Sequence, residues 1–180
     1  GIANPKDFRN DVQVMLNVIS YDLENEHDVV ASIAGSVALT ISDIPFAGPT
    51  ATVRVGLIDG ELVLNPTHEA RTRSDLDLIV SSSQENVIMI EAGANEVTEE
   101  KMLEAIAFGK KWSQKIVEFI KTIEKKIGLP KYEWKAPSKN PAITDYVDKN
   151  YADKIMTALY ERTGKLDRFG YFDSLTKEVK

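Results

Sequence analysis

"TATVRVGLIDGELVLNPT" (50–67) sets two apolar runs around Asp59-Gly60. A two-residue hairpin turn needs positive φ at both central positions, and Asp-Gly supplies it at low steric cost. "SDLDLIVSSSQENVIMIEAGA" (74–94) repeats the arrangement, with a polar turn near Ser83–Asn86. These two stretches predict about four antiparallel strands. "HEARTR" (68–73) between them reads as a short polar connection.

Upstream the period changes. Val29, Val30, Ile33, Ala34, Val37 and Ala38 recur at three and four residues, which is a helical face. Its neighbours Ala31, Ser32, Gly35 and Ser36 are small, as suits a helix lying close on a sheet. "SDIPFAGP" (42–49) ends that helix, because Pro45 disfavours helical geometry at Ile44 and Gly48-Pro49 turns the chain into the next strand. Further upstream, "VQVMLNVISY" (12–21) alternates with a period of two and is apolar on much of both faces. It is expected to be a strand inside a sheet.

Downstream, Thr98 with Glu99 and Glu100 opens a helix of about 30 residues. Trp112, Ile116, Phe119, Ile120, Ile123 and Ile127 form its expected apolar stripe, with Met102, Leu103 and Ile106 starting an offset one. Gly128 and Pro130 stop it, and its length of roughly 45 Å suggests a bridge between two bodies. The proline-rich stretch 129–140 reads as a linker. Over 141–180, Ile143, Tyr146, Val147, Ile155, Leu159, Leu166, Phe169, Phe172 and Leu175 outline two or three short helices. The fold class is α+β.

The 180 residues suffice for one good-sized domain or a small domain with an appendage. No window approaches the ~20 apolar residues that span a bilayer, and "GIANPKDFRND" has no signal-peptide core. With Gly1 in place of an initiator Met, residues 1–7 are expected to be a cloning remnant and a disordered start. The absence of cysteine excludes disulfides and thiolate metal sites, and fits a cytoplasmic protein. The net charge of −6 is unevenly spread: residues 1–97 carry −10 and the remainder +4. A mildly basic tail can face a polyanion, and a solvated helical surface is the plainer explanation.

Candidate chemistry is sparse. His27 and His68 lack the spacing of a zinc site. Asp75 and Asp77 stand two apart on an expected strand, so both carboxylates would share a face and could hold Mg²⁺ with a ligand's phosphate. The plainer reading is a polar strand face with Leu76 and Leu78 turned inward. "AGSVALT" and "VGLIDG" lack the Gly-Lys-Ser/Thr ending of a phosphate loop. Lys110, Lys111 and Lys115 lie on the polar side of the long helix and are the RNA-binding candidates, although Glu104, Glu118 and Glu124 interleave with the lysines there.

The order of motifs adds what single residues do not. "FRNDVQVMLNVIS", "DVVASIAGSVALTISDIPFAGPTATVRVG", "LVLNPT", "SDLDLIVSSSQENVIMIEAGANEVTEEKMLEAIAFG" and "LPKYEW" resemble, in sequence and spacing, the bacterial polynucleotide phosphorylase family over residues 8–135. The final helical stretch resembles it less. The resemblance implies a cytoplasmic, homotrimeric enzyme that degrades RNA from its 3′ end by phosphate attack with Mg²⁺, in mRNA degradation and RNA processing. It further implies that residues 8–128 are the later part of the first of two RNase PH-like cores, with a mixed, mainly antiparallel sheet, and that 141–180 are part of an all-helical domain. In that family the second core carries Asp-x-Lys with another Asp six residues ahead. On this chain Asp77 matches the Asp, Ile79 stands where the Lys would be, and Arg71 where the other Asp would be. A carboxylate without that Lys is a poor phosphoryl-transfer site.

The resemblance therefore implies a non-catalytic structural section. It is expected to have no catalytic residue, no metal ligand and no bound cofactor of its own, and its parent to use Mg²⁺ and inorganic phosphate. The alternatives are an autonomous Mg²⁺-dependent phosphorolytic enzyme using Asp75 and Asp77, or an RNA-binding module using the basic helices. Without upstream partners for 12–21, self-association is expected.

Overall fold

The computed structural model describes Phe8 and residues 10–135, 140–161 and 164–179. The expected disordered start, 1–7, and residues 136–139 of the proline-rich stretch lie outside the described residues. Two compact units divide the chain, Gly1–Lys135 and Ala136–Lys180.

The first unit is built on the two hairpins. Strands β1 (Ala51–Ile58) and β2 (Glu61–Leu64) pair antiparallel through Asp59 and Gly60, at φ 51° and 83°. Strands β3 (Leu76–Ser82) and β4 (Val87–Ala94) form the second hairpin, and β3 pairs antiparallel with β1. The sheet order is β2-β1-β3-β4. Alternation sends Val53, Val55, Leu57, Leu76, Leu78 and Val80 to one face, where they make the core with Ala105. Leu76 and Leu78 thus point inward as the plainer sequence reading has it.

Helix α1 (His27–Ile41) lies against the opposite face, where the Ser32 and Thr52 hydroxyls meet at 2.8 Å. A single helical turn, α2 (His68–Arg71), replaces the expected polar connection; Thr67 caps it by accepting from Ala70 N. The cap and the turn are local, and four residues are too few to show a helical period.

The long helix is α3 (Glu99–Ile127), begun by Thr98 as predicted, with its side chain accepting from Lys101 N. Its buried ridge follows the expected stripe only in part: Ile120 is buried and Met102, Ile106, Trp112 and Ile116 pack against the core. Ala105, Gly109, Ser113, Val117 and Ile120 are buried, whereas Leu103, Phe119 and Ile127 are more than 60% exposed. The reason is close approach. A Cβ on Gly109 would stand 2.8 Å from Val80 Cγ2 and 3.2 Å from Val55 Cγ2, so small residues face the sheet. Ser113 Oγ satisfies itself on the Gly109 carbonyl at 2.9 Å. α3 belongs wholly to the first unit.

The stretch 12–21 is not a strand. Residues 11–22 have no regular secondary structure, and residues 13–21 are exposed. A strand exists only through a ladder, and none of the described strands lies alongside. The segment instead drapes over α1, with Leu16 near Gly35. At the far end of α1, Lys131 Nζ donates to the carbonyls of Thr40 (2.7 Å), Ser42 (2.8 Å) and Leu39 (3.3 Å). Backbone bonds Leu129 N to Ile41 O and Tyr132 N to Asp43 O complete the clamp. This is what the stiff "SDIPFAGP" junction holds: a cation on the negative end of a helix.

The second unit has two helices, α4 (Pro141–Glu161) and α5 (Lys165–Val179). Tyr151, Ala158 and Leu175 are buried between them, and Lys154 Nζ pairs with Glu178 Oε1 at 3.1 Å. Ile143, Leu166 and Phe169 from the expected stripe are exposed. Among the described residues no helix is long and apolar enough to cross a membrane.

Candidate functional site

The candidate carboxylate Asp77 lies on β3 opposite Gly56 of β1. Arg54, two residues back on β1, shares its face. Arg54 is held first by its backbone: its N–H donates to Asn65 Oδ1 at 2.8 Å and its carbonyl accepts from Asn65 N at 2.7 Å. Asn65 sits at φ 45°, a left-handed conformation that Asn tolerates better than most residues. The Arg54 side chain, only 7% exposed, then forks between two acids. Nη1 donates to Asp77 Oδ1, and Nη2 to Asp28 Oδ2 at 2.5 Å.

The other Asp77 oxygen, Oδ2, accepts from Arg71 Nη2 at 2.7 Å. Arg71 is placed by α2, and its Nη1 donates to Glu26 at the start of α1. Glu26 Oε1 also meets His68 Nδ1 at 3.2 Å. The chain of charge therefore runs Asp28, Arg54, Asp77, Arg71, Glu26, alternating in sign and stitching α1, α2, β1 and β3 together.

The electrostatics follow. Burial works to raise the Asp77 carboxyl, but hydrogen bonds and charge from Arg71 and Arg54 outweigh it and hold the group below the usual carboxylate range. For Glu26, burial is likewise outweighed, by hydrogen bonds from His68 and Arg71 and by the arginine charges. Arg71 shifts the opposite way: burial opposes its charge, and Asp77 and Glu26 raise it further.

This donor set does not fit Mg²⁺. The ion takes near-octahedral oxygen ligands, whereas each Asp77 oxygen already receives a guanidinium and two positive charges stand where the cation would sit. Asp75, its supposed companion, lies outside β3 in a bend and is exposed. Its carbonyl accepts from Asn95 N and its N–H donates to Leu57 O, so its part is in the backbone. Asp75 takes no part in the ion pairs that hold Asp77. Among the described residues no group of three or more His, Asp or Glu could hold a metal ion. Ile79 is half-buried on the Asp77 face, opposite Arg54 and Glu91. A cavity of about 340 Å³ opens beside Arg54, lined also by Glu26, Asn65 and Pro66; the two charges in its wall are already paired within the protein.

The remaining candidates lie elsewhere. Lys110 is half-buried, Lys111 and Lys115 are exposed on α3, and Lys115 Nζ rests 4.0 Å from the centre of the Trp112 ring. His27 packs edge-on against Tyr21. Sequence reading missed Arg54, Asp28 and Glu26. Its available signal was an Arg in the middle of a strand otherwise buried on both faces, since such a charge needs partners.

Comparison with known proteins places these residues. The model described as "3' exoribonuclease family, domain 2" matches residues 48–111, which contain the whole sheet. Polyribonucleotide nucleotidyltransferase of Finegoldia magna is 42% identical over 97% of this chain and 24% of its own length. The Clostridioides difficile protein of that name is 44% identical over 97% of this chain and 25% of its own length. That of Alkaliphilus oremlandii reaches 52% over 72% of this chain and 18% of its own length. The chain thus spans about a quarter of the length of the curated relatives it matches. Among solved structures, rice (Oryza sativa) Rrp46 superposes with a TM-score of 0.51 at 18% identity, covering 57% of this chain and 49% of that one, which supports the RNase PH-like fold. Matched across its sheet to an exoribonuclease domain and along nearly all its residues to one section of these enzymes, the chain belongs, over the section it covers, to the polyribonucleotide nucleotidyltransferase family.

Proposed function

We propose that this chain is a non-catalytic structural section of a phosphate-dependent 3′-to-5′ exoribonuclease. The parent is a cytoplasmic homotrimer acting on RNA in mRNA degradation and processing, with Mg²⁺ and inorganic phosphate as its requirements. The section completes the ring and supports an active core elsewhere in the parent. One observation carries the reading: both oxygens of Asp77 are bound by Arg54 and Arg71, and the neighbouring side chain on that face is the aliphatic Ile79. A carboxylate so occupied neither ligates a metal nor stabilises phosphoryl charge.

The purified chain, given poly(A), Mg²⁺ and inorganic phosphate, is expected to release no nucleoside diphosphate. Phosphate-dependent release that Asp77→Ala abolishes would establish the autonomous enzyme instead. RNA binding by α3 is a second reading, favoured by Lys110, Lys111 and Lys115 having no carboxylate partner among the described residues. Its mark is an affinity for single-stranded RNA that falls steeply with salt; no binding at low salt dismisses it.

A further inference from the structure

The last turn of α1 contains no basic residue. A helix end gathers unpaired carbonyls and partial negative charge, which a lysine or arginine close in sequence can meet. Here the cation comes from 89 to 92 residues away, since Lys131 Nζ reaches the carbonyls of Leu39, Thr40 and Ser42. An ammonium has three donors and no acceptor. Three carbonyls therefore use its whole capacity.

Lys131 lies in a stretch with no ladder or helix of its own. Residues 128–135 follow α3 without regular structure, and Pro130 has no backbone N–H to donate. Two backbone bonds flank the lysine, Leu129 N to Ile41 O at 2.9 Å and Tyr132 N to Asp43 O at 2.6 Å. Tyr132 and Trp134 then receive the Phe8 ring edge-on, with centres 6.5 and 6.2 Å apart. Three segments far apart in sequence meet on this strap. Among the described residues, Lys131 is the one side chain of 129–135 that forms a hydrogen bond or ion pair.

The two backbone bonds compete with water and hold weakly by themselves. Hydrogen bonds from a charged donor are roughly twice as strong as neutral ones. We propose that Lys131 is a latch, a positioning residue whose ammonium fastens 129–135 to the end of α1. It thereby sets where the chain leaves the first unit: after Lys135, and not at Ile127 where α3 ends. If the latch is removed, the strap lifts and water replaces the ammonium on the three carbonyls. The loss is then local, because the core under α3 does not include the strap. The inference is independent of the proposed function.

Amide hydrogen exchange on the full 180-residue chain tests this. Lys131→Met keeps the apolar stem and removes the donors. In that variant the Leu129 and Tyr132 amides should exchange at least about tenfold faster, while the amides of the β1–β3 ladder keep their rates. Chymotryptic cleavage after Tyr132 or Trp134 should quicken in parallel. Lys135→Met, which removes a strap charge outside the latch, should change neither. Unaltered exchange at Leu129 and Tyr132 in Lys131→Met overturns the proposal, because backbone and rings then hold the strap unaided. So does equal acceleration throughout the β1–β3 ladder, which would make Lys131 a support of the whole unit. The same acceleration in Lys135→Met overturns it as well, by tracing the effect to lost charge in general.

Discussion

Asp77 was the most tempting catalytic candidate, and its surroundings give it a different task. A carboxylate held by two guanidiniums joins elements far apart in sequence, since Arg54 is 23 residues away and Arg71 six. Such a group links folding to pH. Its folded pKa lies below its unfolded value of about 4, so its contribution is full above that value and is lost as pH falls through the folded pKa. Glu26 acts in the same direction. Urea midpoints should therefore fall as the pH drops below about 4. Asp77→Asn should be less stable at pH 7 and should lose less on acidification than the parent chain. Equal acid slopes in the two proteins would refute the assignment. Asp77 is 42% exposed, so solvent screening keeps its effect modest.

Helix α3 illustrates how packing overrides ranking by hydrophobicity. Beside Ile120 its buried positions are Ala105, Gly109, Ser113 and Val117, because a thin ridge lets the backbone approach Val55 and Val80. Both facing residues are β-branched, stiff and fully buried, so they cannot yield. Gly109→Val should cost about 2–3 kcal/mol by overpacking, although any side chain favours the helix over glycine by up to ~1 kcal/mol. A midpoint measured by thermal or chemical unfolding that is unchanged or raised would contradict this packing. Phe119→Lys, at a position 64% exposed, provides the contrast and should leave stability within about 0.5 kcal/mol.

The molecule divides unequally in stabilising power. The first unit contains the sheet, with α3 packed on one face and α1 against β1 on the other, while among the described residues the second buries three side chains between two helices. A two-helix unit of that size has little core to offset its chain entropy. A chain ending at Lys135 should therefore keep its main unfolding midpoint within about 3 °C of the longer one. A large drop would mean that α4 and α5 support the sheet.

The hairpins and helix starts were readable because their causes are local. Asp59-Gly60 carries its own conformational preference, and Thr98 caps the turn that immediately follows it. The family, too, was readable from the order of motifs, and residues 48–111 match its exoribonuclease domain. The site was half readable: Asp77, Arg71 and Ile79 stood out, while Asp28, Arg54 and Glu26 did not, because ion pairs between distant segments leave no periodic trace. For α3 the sequence marked the helix and part of its inward face, Trp112, Ile116 and Ile120, but not the small residues beside them, which are buried by proximity and not by affinity for oil. Alternation in 12–21 is a capacity to pair, written in the residues. Whether it becomes a strand depends on a neighbour's backbone, because a β-ladder is a property of two segments and never of one.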